Sequence, residues 1–103
     1  MQRSPRRTET PVTTAVAALQ GLRWGPSSAQ ALIAAIDART DGYVHIHVGL
    51  IYKALDQLVQ RGLVRKSVDA ARPHGAAIYR LTAKGRTHSQ REGQALGRLF
   101  TAS

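Results

Sequence analysis

Apolar side chains recur every three or four residues in three stretches of the chain, and this spacing predicts three amphipathic helices. The stretches are defined by Val12, Ala15, Val16 and Leu19, then by Ala29, Leu32, Ile33 and Ile36, and then by Ile51, Leu55, Leu58 and Val59. We expect the helices to cover about residues 12–20, 28–40 and 48–61. A serine precedes the second stretch and is the residue type that caps helix N-termini.

Alternating apolar and polar residues predict short strands in the rest of the chain. The first predicted strand covers residues 43–47. Two more cover residues 63–68 and 76–82 and form a hairpin. The loop between them contains a proline and a glycine, which are typical of turns.

A fourth helix is predicted after the hairpin, because Thr82 is a good helix cap and apolar residues return near the C-terminus. We expect Gly85 to interrupt this helix early. Its sparse apolar edge consists of Ala95, Leu96, Leu99 and Phe100.

This order of elements predicts a mainly helical α+β fold, the winged helix-turn-helix. It has three helices, a wing sheet of two or three strands and a C-terminal helix. We assign the winged-helix domain to residues 12–82 and the C-terminal helix to residues 83–103. Residues 1–11 are polar and basic without apolar periodicity, which predicts a disordered tail.

The charge of the chain indicates the class of its partner. Among 103 residues, 15 are Lys or Arg and 6 are Asp or Glu, so the formal net charge is +9. Such an excess predicts a polyanionic partner, either nucleic acid or an anionic membrane surface. Between residues 61 and 91 there is one acid, Asp69, against eight cations: Arg61, Arg65, Lys66, Arg72, Arg80, Lys84, Arg86 and Arg91. This segregation favours a docking face over general solubility.

Several classes of function find no support in the sequence. The chain has no cysteine, which excludes disulfides, thiolate metal sites and a cysteine nucleophile. No apolar stretch approaches the ~18–20 residues that span a bilayer, and no secretory signal is expected. The expected location is therefore the cytoplasm, at the nucleoid. No phosphate-binding loop, paired carboxylates or Ser-His-Asp arrangement is recognisable, so we expect neither enzyme activity nor a cofactor.

The third predicted helix is the candidate for the major groove of DNA, because its apolar stripe leaves the opposite face free. At about 100° per residue, that face carries Gly49, Lys53, Asp56, Gln57 and Gln60. Leu50 and Tyr52 lie on its two edges, and His47 precedes the helix. Lys, Gln and Tyr side chains hydrogen-bond bases or phosphates, and a glycine at a helix start lets the backbone amides approach a phosphate.

The predicted hairpin adds further cations to this candidate site. Arg72 and His74 lie in its loop, and Lys66 and Arg80 lie on its strands. A cationic wing of this kind follows the phosphates or enters the adjacent minor groove of the duplex. We therefore include these four residues among the predicted DNA contacts.

Two segments of the chain carry recognisable signatures. Residues 48–58 have the pattern Gly-x-x-Tyr-x-x-Leu-x-x-Leu, and residues 79–85 have the pattern Tyr-x-Leu-Thr-x-x-Gly. The first resembles the recognition helix of the PadR family, and the second is similar to the segment that closes the wing in that family and in MarR-like proteins. The resemblance covers residues 40–86 and extends more loosely over residues 13–100. It weakens at residues 25–28, where PadR proteins usually have a Gly-Tyr pair.

This resemblance implies a homodimeric repressor that binds double-stranded DNA at an inverted repeat. PadR-like proteins pair through the C-terminal helix, so the implied dimer contacts are Leu96, Leu99 and Phe100. A two-fold dimer places its two recognition helices about 34 Å apart, which is one turn of DNA. A small-molecule effector is a further partner that the resemblance allows.

Other hypotheses remain open from the sequence alone. A DNA-coating architectural protein or a plasmid partition protein would have the same fold and charge, and so would a protein-interaction module with an acidic partner. His45 and His47 would share one strand face, which allows a metal site, although a DNA contact by His47 is the favoured interpretation. Trp24 is either a packing residue or a platform for a planar ligand.

Overall fold

The computed structural model describes residues 13–68 and 77–101. The elements in these ranges are helices α1 (Thr14–Gly21), α2 (Ala29–Arg39), α3 (Val48–Gln60) and α4 (Ala83–Thr101), strands β1 (Val64–Val68) and β2 (Ala77–Leu81), and a 3-10 turn (Leu22–Trp24). This is the predicted order of a winged helix. The predicted tail, the wing residues Arg72 and His74, and the side chains of Leu99 and Phe100 lie outside the described residues.

Side-chain caps fix where the first two helices begin. The hydroxyl of Thr13 accepts a hydrogen bond from the backbone N–H of Val16 at 3.2 Å. The hydroxyl of Ser28 accepts one from the N–H of Ala31 at 3.2 Å. Each cap satisfies an amide that has no partner inside its helix, so the predicted helix starts are correct to within two residues.

The apolar stripes of α2 and α3 converge on one core together with the inner face of the sheet. Helix α1 joins this core through Ala17, Ala18 and Leu19, whereas Ala15 and Val16 of its predicted stripe are only half-buried. The fully buried large side chains include Leu19, Leu32, Ile51, Leu55, Leu58, Leu63 and Tyr79. Each such apolar side chain contributes about 1.5–3 kcal/mol by leaving water. This core holds α3 in place through one side only, because the predicted stripe occupies only part of its circumference.

The strand predicted at residues 43–47 is absent from the described structure. Asp41 and Gly42 adopt positive φ angles of 52° and 78° after α2, and the chain then runs as an extended connection into α3. Ile46 is buried as the alternation predicts, but no described segment pairs with this stretch. The alternating pattern correctly predicted that Ile46 is buried. It wrongly predicted a strand, because a strand also needs a neighbouring segment to which its backbone can hydrogen-bond.

The sheet has two antiparallel strands and one added bridge. Val64 pairs with Leu81 and Lys66 with Tyr79 along the β1–β2 ladder. Ser27 forms an isolated antiparallel bridge to Tyr79, with backbone hydrogen bonds of 3.0 and 2.8 Å. The third position in the sheet therefore belongs to the segment before α2 and not to residues 43–47.

Helix α4 is continuous from Ala83, so the interruption expected at Gly85 is wrong. Gly85 is buried, and a Cβ at this position would lie 1.9 Å from the carbonyl oxygen of Leu63. The glycine lets two backbones touch instead of breaking the helix. We call this contact, between residues 61–63 and residues 82–85, the α3–α4 junction.

Hydrogen bonds converge on Thr82 at this junction. Its hydroxyl donates to the carbonyl oxygen of Gly62 at 2.7 Å and accepts from the N–H of Gly85 at 2.9 Å. Its own N–H donates to the carbonyl oxygen of Leu63 at 3.1 Å. Thr82 thus caps α4 as predicted and also ties it to the end of α3.

Candidate nucleic-acid interface

The face of α3 opposite the core is open to solvent over its whole length. Leu50 is 50% exposed and Tyr52 45% exposed. The other exposed positions on this face are Gly49, Lys53, Asp56, Gln57 and Gln60. The structure therefore brings together on one surface all the residues that the helical angle assigned to it.

The N-terminus of α3 lacks the side-chain cap that α1 and α2 have. His47 occupies the cap position without a side-chain hydrogen bond, and its carbonyl oxygen accepts from Leu50 and Ile51 at 3.0 and 3.1 Å. A Cβ built on Gly49 would meet no atom within 4 Å. Nothing in the described fold therefore requires a glycine here, while its missing side chain leaves the first-turn amides accessible to an anion.

The two strand cations predicted to contact DNA lie on opposite faces of the sheet. Lys66 pairs with Tyr79, so it shares the inner face, which packs against α3. Arg80 is the next residue along β2 and therefore points to the outer face, where it is paired with Arg65 of β1. The structure therefore places Lys66 on the α3 side and does not bring Arg80 to that surface.

Tyr79 connects the inner face of the sheet to α3. Its side chain is 1% exposed and belongs to the hydrophobic core. Burial raises the pKa of this hydroxyl above its ordinary value of 10.0, and the neighbouring Asp56 and Tyr52 raise it further. The phenol therefore stays neutral in the folded protein at a pH where an exposed phenol ionises.

This raised pKa predicts a loss of stability in alkali. The unfolded chain releases the Tyr79 proton near pH 10, while the folded chain keeps it, so ionisation favours unfolding as the pH rises above about 10. We expect the free energy of unfolding, from urea titrations, to fall more steeply between about pH 9 and 11 in the wild type than in Tyr79→Phe. Tyr43 is 92% exposed, so Tyr43→Phe is the matched control and should follow the wild type. Parallel curves for all three proteins would contradict the assignment.

The histidines before α3 are engaged with an acid and with each other. Nδ1 of His45 lies 2.8 Å from Oδ2 of Asp37, and the rings of His45 and His47 meet edge to face with centroids 6.1 Å apart. Within residues 13–68 and 77–101, no three His, Cys, Asp or Glu side chains form a group that could hold a metal ion. His47 remains exposed beside the first turn of α3.

Trp24 and Leu96 lie outside the exposed face of α3, and each is only partly buried. The guanidinium of Arg39 lies 4.1 Å from the centroid of the Trp24 ring, a cation–π contact that leaves the ring half exposed. Trp24 is therefore partly a packing residue, as the sequence suggested. Leu96 is half-buried on the C-terminal half of α4.

A family comparison identifies the chain. The model of the transcriptional regulator PadR-like family matches residues 19–91, which is more than half of the protein. The chain belongs to the PadR-like family. This family consists of transcriptional regulators and not of enzymes. No curated protein sequence matches the chain.

Solved structures share this PadR-like fold at low sequence identity. A transcriptional regulator from Clostridium thermocellum has a TM-score of 0.75 and 18% identity, over 86% of this chain and 84% of that one. A PadR-like transcription factor from Bacteroides fragilis has a TM-score of 0.71 and 18% identity, over 85% and 84%. Bacillus subtilis PadR, solved in complex with operator DNA, has a TM-score of 0.67 and 19% identity, over 85% of this chain and 46% of that one.

No helix in the described ranges is both long enough and apolar enough to cross a membrane. Arg23 and Arg86, which were not among the predicted site residues, line the same open cleft as Arg80. Arg23 follows α1 and Arg86 lies on α4. The sequence signal for Arg86 was its place with Arg80 in the cluster of cations between residues 61 and 91, whereas Arg23 lies far from that cluster along the chain.

Proposed function

We propose that this PadR-like protein is a homodimeric repressor that binds double-stranded DNA at an inverted repeat. As a regulator acting on genomic DNA, it would work in the cytoplasm at the nucleoid. The resemblance to B. subtilis PadR, whose structure contains operator DNA, supports the same class of partner here.

The observation that carries the proposal is the free polar face of α3 together with its uncapped N-terminus. Lys53 and Gln57 can hydrogen-bond base edges or phosphates, and the amides beside Gly49 can receive a phosphate oxygen. Lys66 lies on the same side of the sheet. A helix inserted in the major groove with a cation beside it is the docking geometry of helix-turn-helix proteins.

Pairing through α4 would supply the two-fold symmetry that an inverted repeat requires. This helix has 19 residues, and its N-terminal half is held against α1. Nε2 of Gln20 in α1 donates to the carbonyl oxygen of Ser89 at 2.7 Å and to Oε1 of Glu92 at 3.2 Å. The C-terminal half, which includes the half-buried Leu96, is the segment that a second copy would cover, with Leu99 and Phe100 as further predicted contacts.

The test combines selection of bound duplexes from a random pool with fluorescence anisotropy at several salt concentrations. We expect an inverted repeat with half-sites one helical turn apart and a footprint of about 20–30 base pairs. A dimer that neutralises about 6–10 phosphates should lose about 10³–10⁵ in affinity between about 50 and 200 mM salt. Cooperative spreading without sequence preference would replace the proposal with the architectural alternative. No duplex binding at physiological salt would favour a module for an acidic protein partner.

The position of Leu50 leads to a specific prediction about the bases in the operator. Its half-exposed apolar side chain at the start of α3 suits contact with the methyl group of a thymine. Replacing the contacted thymine by uracil removes only that methyl group, and we expect about a three- to tenfold loss of affinity. The measurement is a titration of operators in which each thymine is changed to uracil in turn.

The variant Leu50→Ala provides the control for this experiment. It should bind the thymine and uracil operators with nearly equal affinity, because the apolar partner of the methyl group is gone. If Leu50→Ala discriminated between the two operators as strongly as the wild type, another residue would be reading the methyl group.

A further inference from the structure

An open cleft lies between the 3-10 turn, β2 and the first half of α4. Its volume is about 440 Å³, within the range of small-molecule sites. The lining residues are Leu22, Arg23, Gly25, Pro26, Arg80, Leu81, Arg86 and Gln90. Three of the eight are arginines, and none is an acid. We call this feature the arginine cleft.

Within residues 13–68 and 77–101, no carboxylate forms an ion pair with an arginine of the cleft. The ion pairs recorded in the described residues are His45–Asp37 and His88–Glu92. Arg23 donates one long hydrogen bond to Gln20 at 3.4 Å, and Arg86 donates one to the carbonyl oxygen of Leu81 at 3.5 Å. Within the described parts of the chain, most of their guanidinium N–H groups therefore have no protein acceptor and can donate to a ligand.

The sheet beside the cleft adds a further unfavourable arrangement of charge. Arg65 and Arg80 are directly paired across the β1–β2 ladder, and both are exposed on its outer face. Like charges at directly opposed positions destabilise a sheet. This arrangement becomes favourable when an anion lies over it.

We propose that the arginine cleft binds the phosphoryl group of a small molecule. Guanidinium groups bind phosphate through paired hydrogen bonds, and a phosphate monoester carries nearly two negative charges. Several uncompensated guanidinium groups suit such a group better than a single carboxylate. The proposal goes beyond the DNA-binding function, because Arg80 faces away from α3 and the cleft uses none of the α3 residues.

The position of the cleft gives such a ligand a route to regulation. Arg80 belongs to the wing sheet, Arg86 to α4, and Arg23 to the turn after α1. A phosphoryl group held by all three would connect the DNA-binding unit to the helix that we propose for dimerisation.

The experiment is calorimetric titration of the full chain with inorganic pyrophosphate at constant ionic strength, with acetate as the comparison anion. We expect pyrophosphate to bind the wild type at least tenfold more tightly than acetate does. Arg23→Gln and Arg80→Gln should each weaken pyrophosphate binding about tenfold, the effect of losing one charged hydrogen-bonding partner. Arg91→Gln removes the same charge from an exposed position of α4 that does not line the cleft, and it should bind like the wild type.

Two further measurements identify the source of the ligand and exclude a folding effect. Arg80→Gln should raise the melting temperature of the free protein by about 1–3 °C, because it relieves the repulsion with Arg65. Pyrophosphate binding that persists in the presence of saturating duplex supports a small-molecule ligand. Displacement by the duplex would mean that the cleft binds the DNA backbone, and it would overturn the proposal. Equal affinity in the wild type and all three variants, or no binding to the wild type, overturns the proposal.

Discussion

Gly85→Ala is expected to destabilise the protein by about 3 kcal/mol or more and to lower its melting temperature by more than about 12 °C. The added Cβ would stand 1.9 Å from the carbonyl oxygen of Leu63 and 2.8 Å from its carbon. Both atoms are backbone, so no side-chain rotation relieves the overlap. The better helix propensity of alanine, about 1 kcal/mol, cannot offset it.

The cost is large because the same carbonyl belongs to the α3–α4 junction. Leu63 accepts a hydrogen bond from the N–H of Thr82, and moving its oxygen breaks the link between the start of β1 and the start of α4. A small domain has only about 5–15 kcal/mol of net stability. Gly85→Ala should therefore leave a substantial unfolded population at 37 °C, measurable by circular dichroism and urea titration.

Gly49→Ala is the matched control for this stability measurement. It places the same methyl group on another helical glycine, at a position where the Cβ meets nothing within 4 Å. If both variants lost stability equally, the effect would come from glycine replacement in general and not from the contact with Leu63. If Gly85→Ala were as stable as the wild type, the close approach of the two backbones would be wrong.

The sequence predicted the helices and the core well because helical burial follows a period that is visible in the residues themselves. Ile51, Leu55 and Leu58 are buried as expected, and the opposite face of α3 is exposed as expected. The signature at residues 79–85 was also visible. The sequence could not show why this signature ends in a glycine. The atom that a Cβ on residue 85 would meet belongs to Leu63, which is distant in sequence.

The same limit explains the errors in the strands. A two-residue period at 43–47 predicts which side chains are buried, but it carries no information about a pairing partner. Lys66 and Arg80 were grouped because both lie on wing strands. Their faces depend on the register between β1 and β2, and a shift of one residue would place Lys66 and Arg80 on the same face. The register became known only from the ladder that pairs Lys66 with Tyr79.

Gly49→Ala is also expected to weaken operator binding about ten- to a hundredfold while leaving the free protein as stable as the wild type or up to about 1 kcal/mol more stable. The reason is that Gly49 has no neighbour in the described protein, whereas a methyl group there would hold a phosphate away from the amides at the start of α3. An effect on binding without a loss of stability separates the DNA contact from folding. The measurement is anisotropy with the selected operator, paired with urea titration of the free variant.

The salt dependence of Gly49→Ala distinguishes an amide contact from a charge contact. The backbone amide carries no net charge, so its loss should lower the affinity by the same factor at every salt concentration. Lys53→Ala, by contrast, should reduce the slope of log affinity against log salt by about one if Lys53 neutralises a phosphate. Gln60 lies on the same exposed face but at the C-terminal end of α3, far from the proposed phosphate contact at the N-terminus. Gln60→Ala should therefore change the affinity by less than about twofold. Wild-type affinity in Gly49→Ala would mean that the phosphate backbone does not approach the N-terminus of α3, and the docking geometry proposed for this helix would then be wrong.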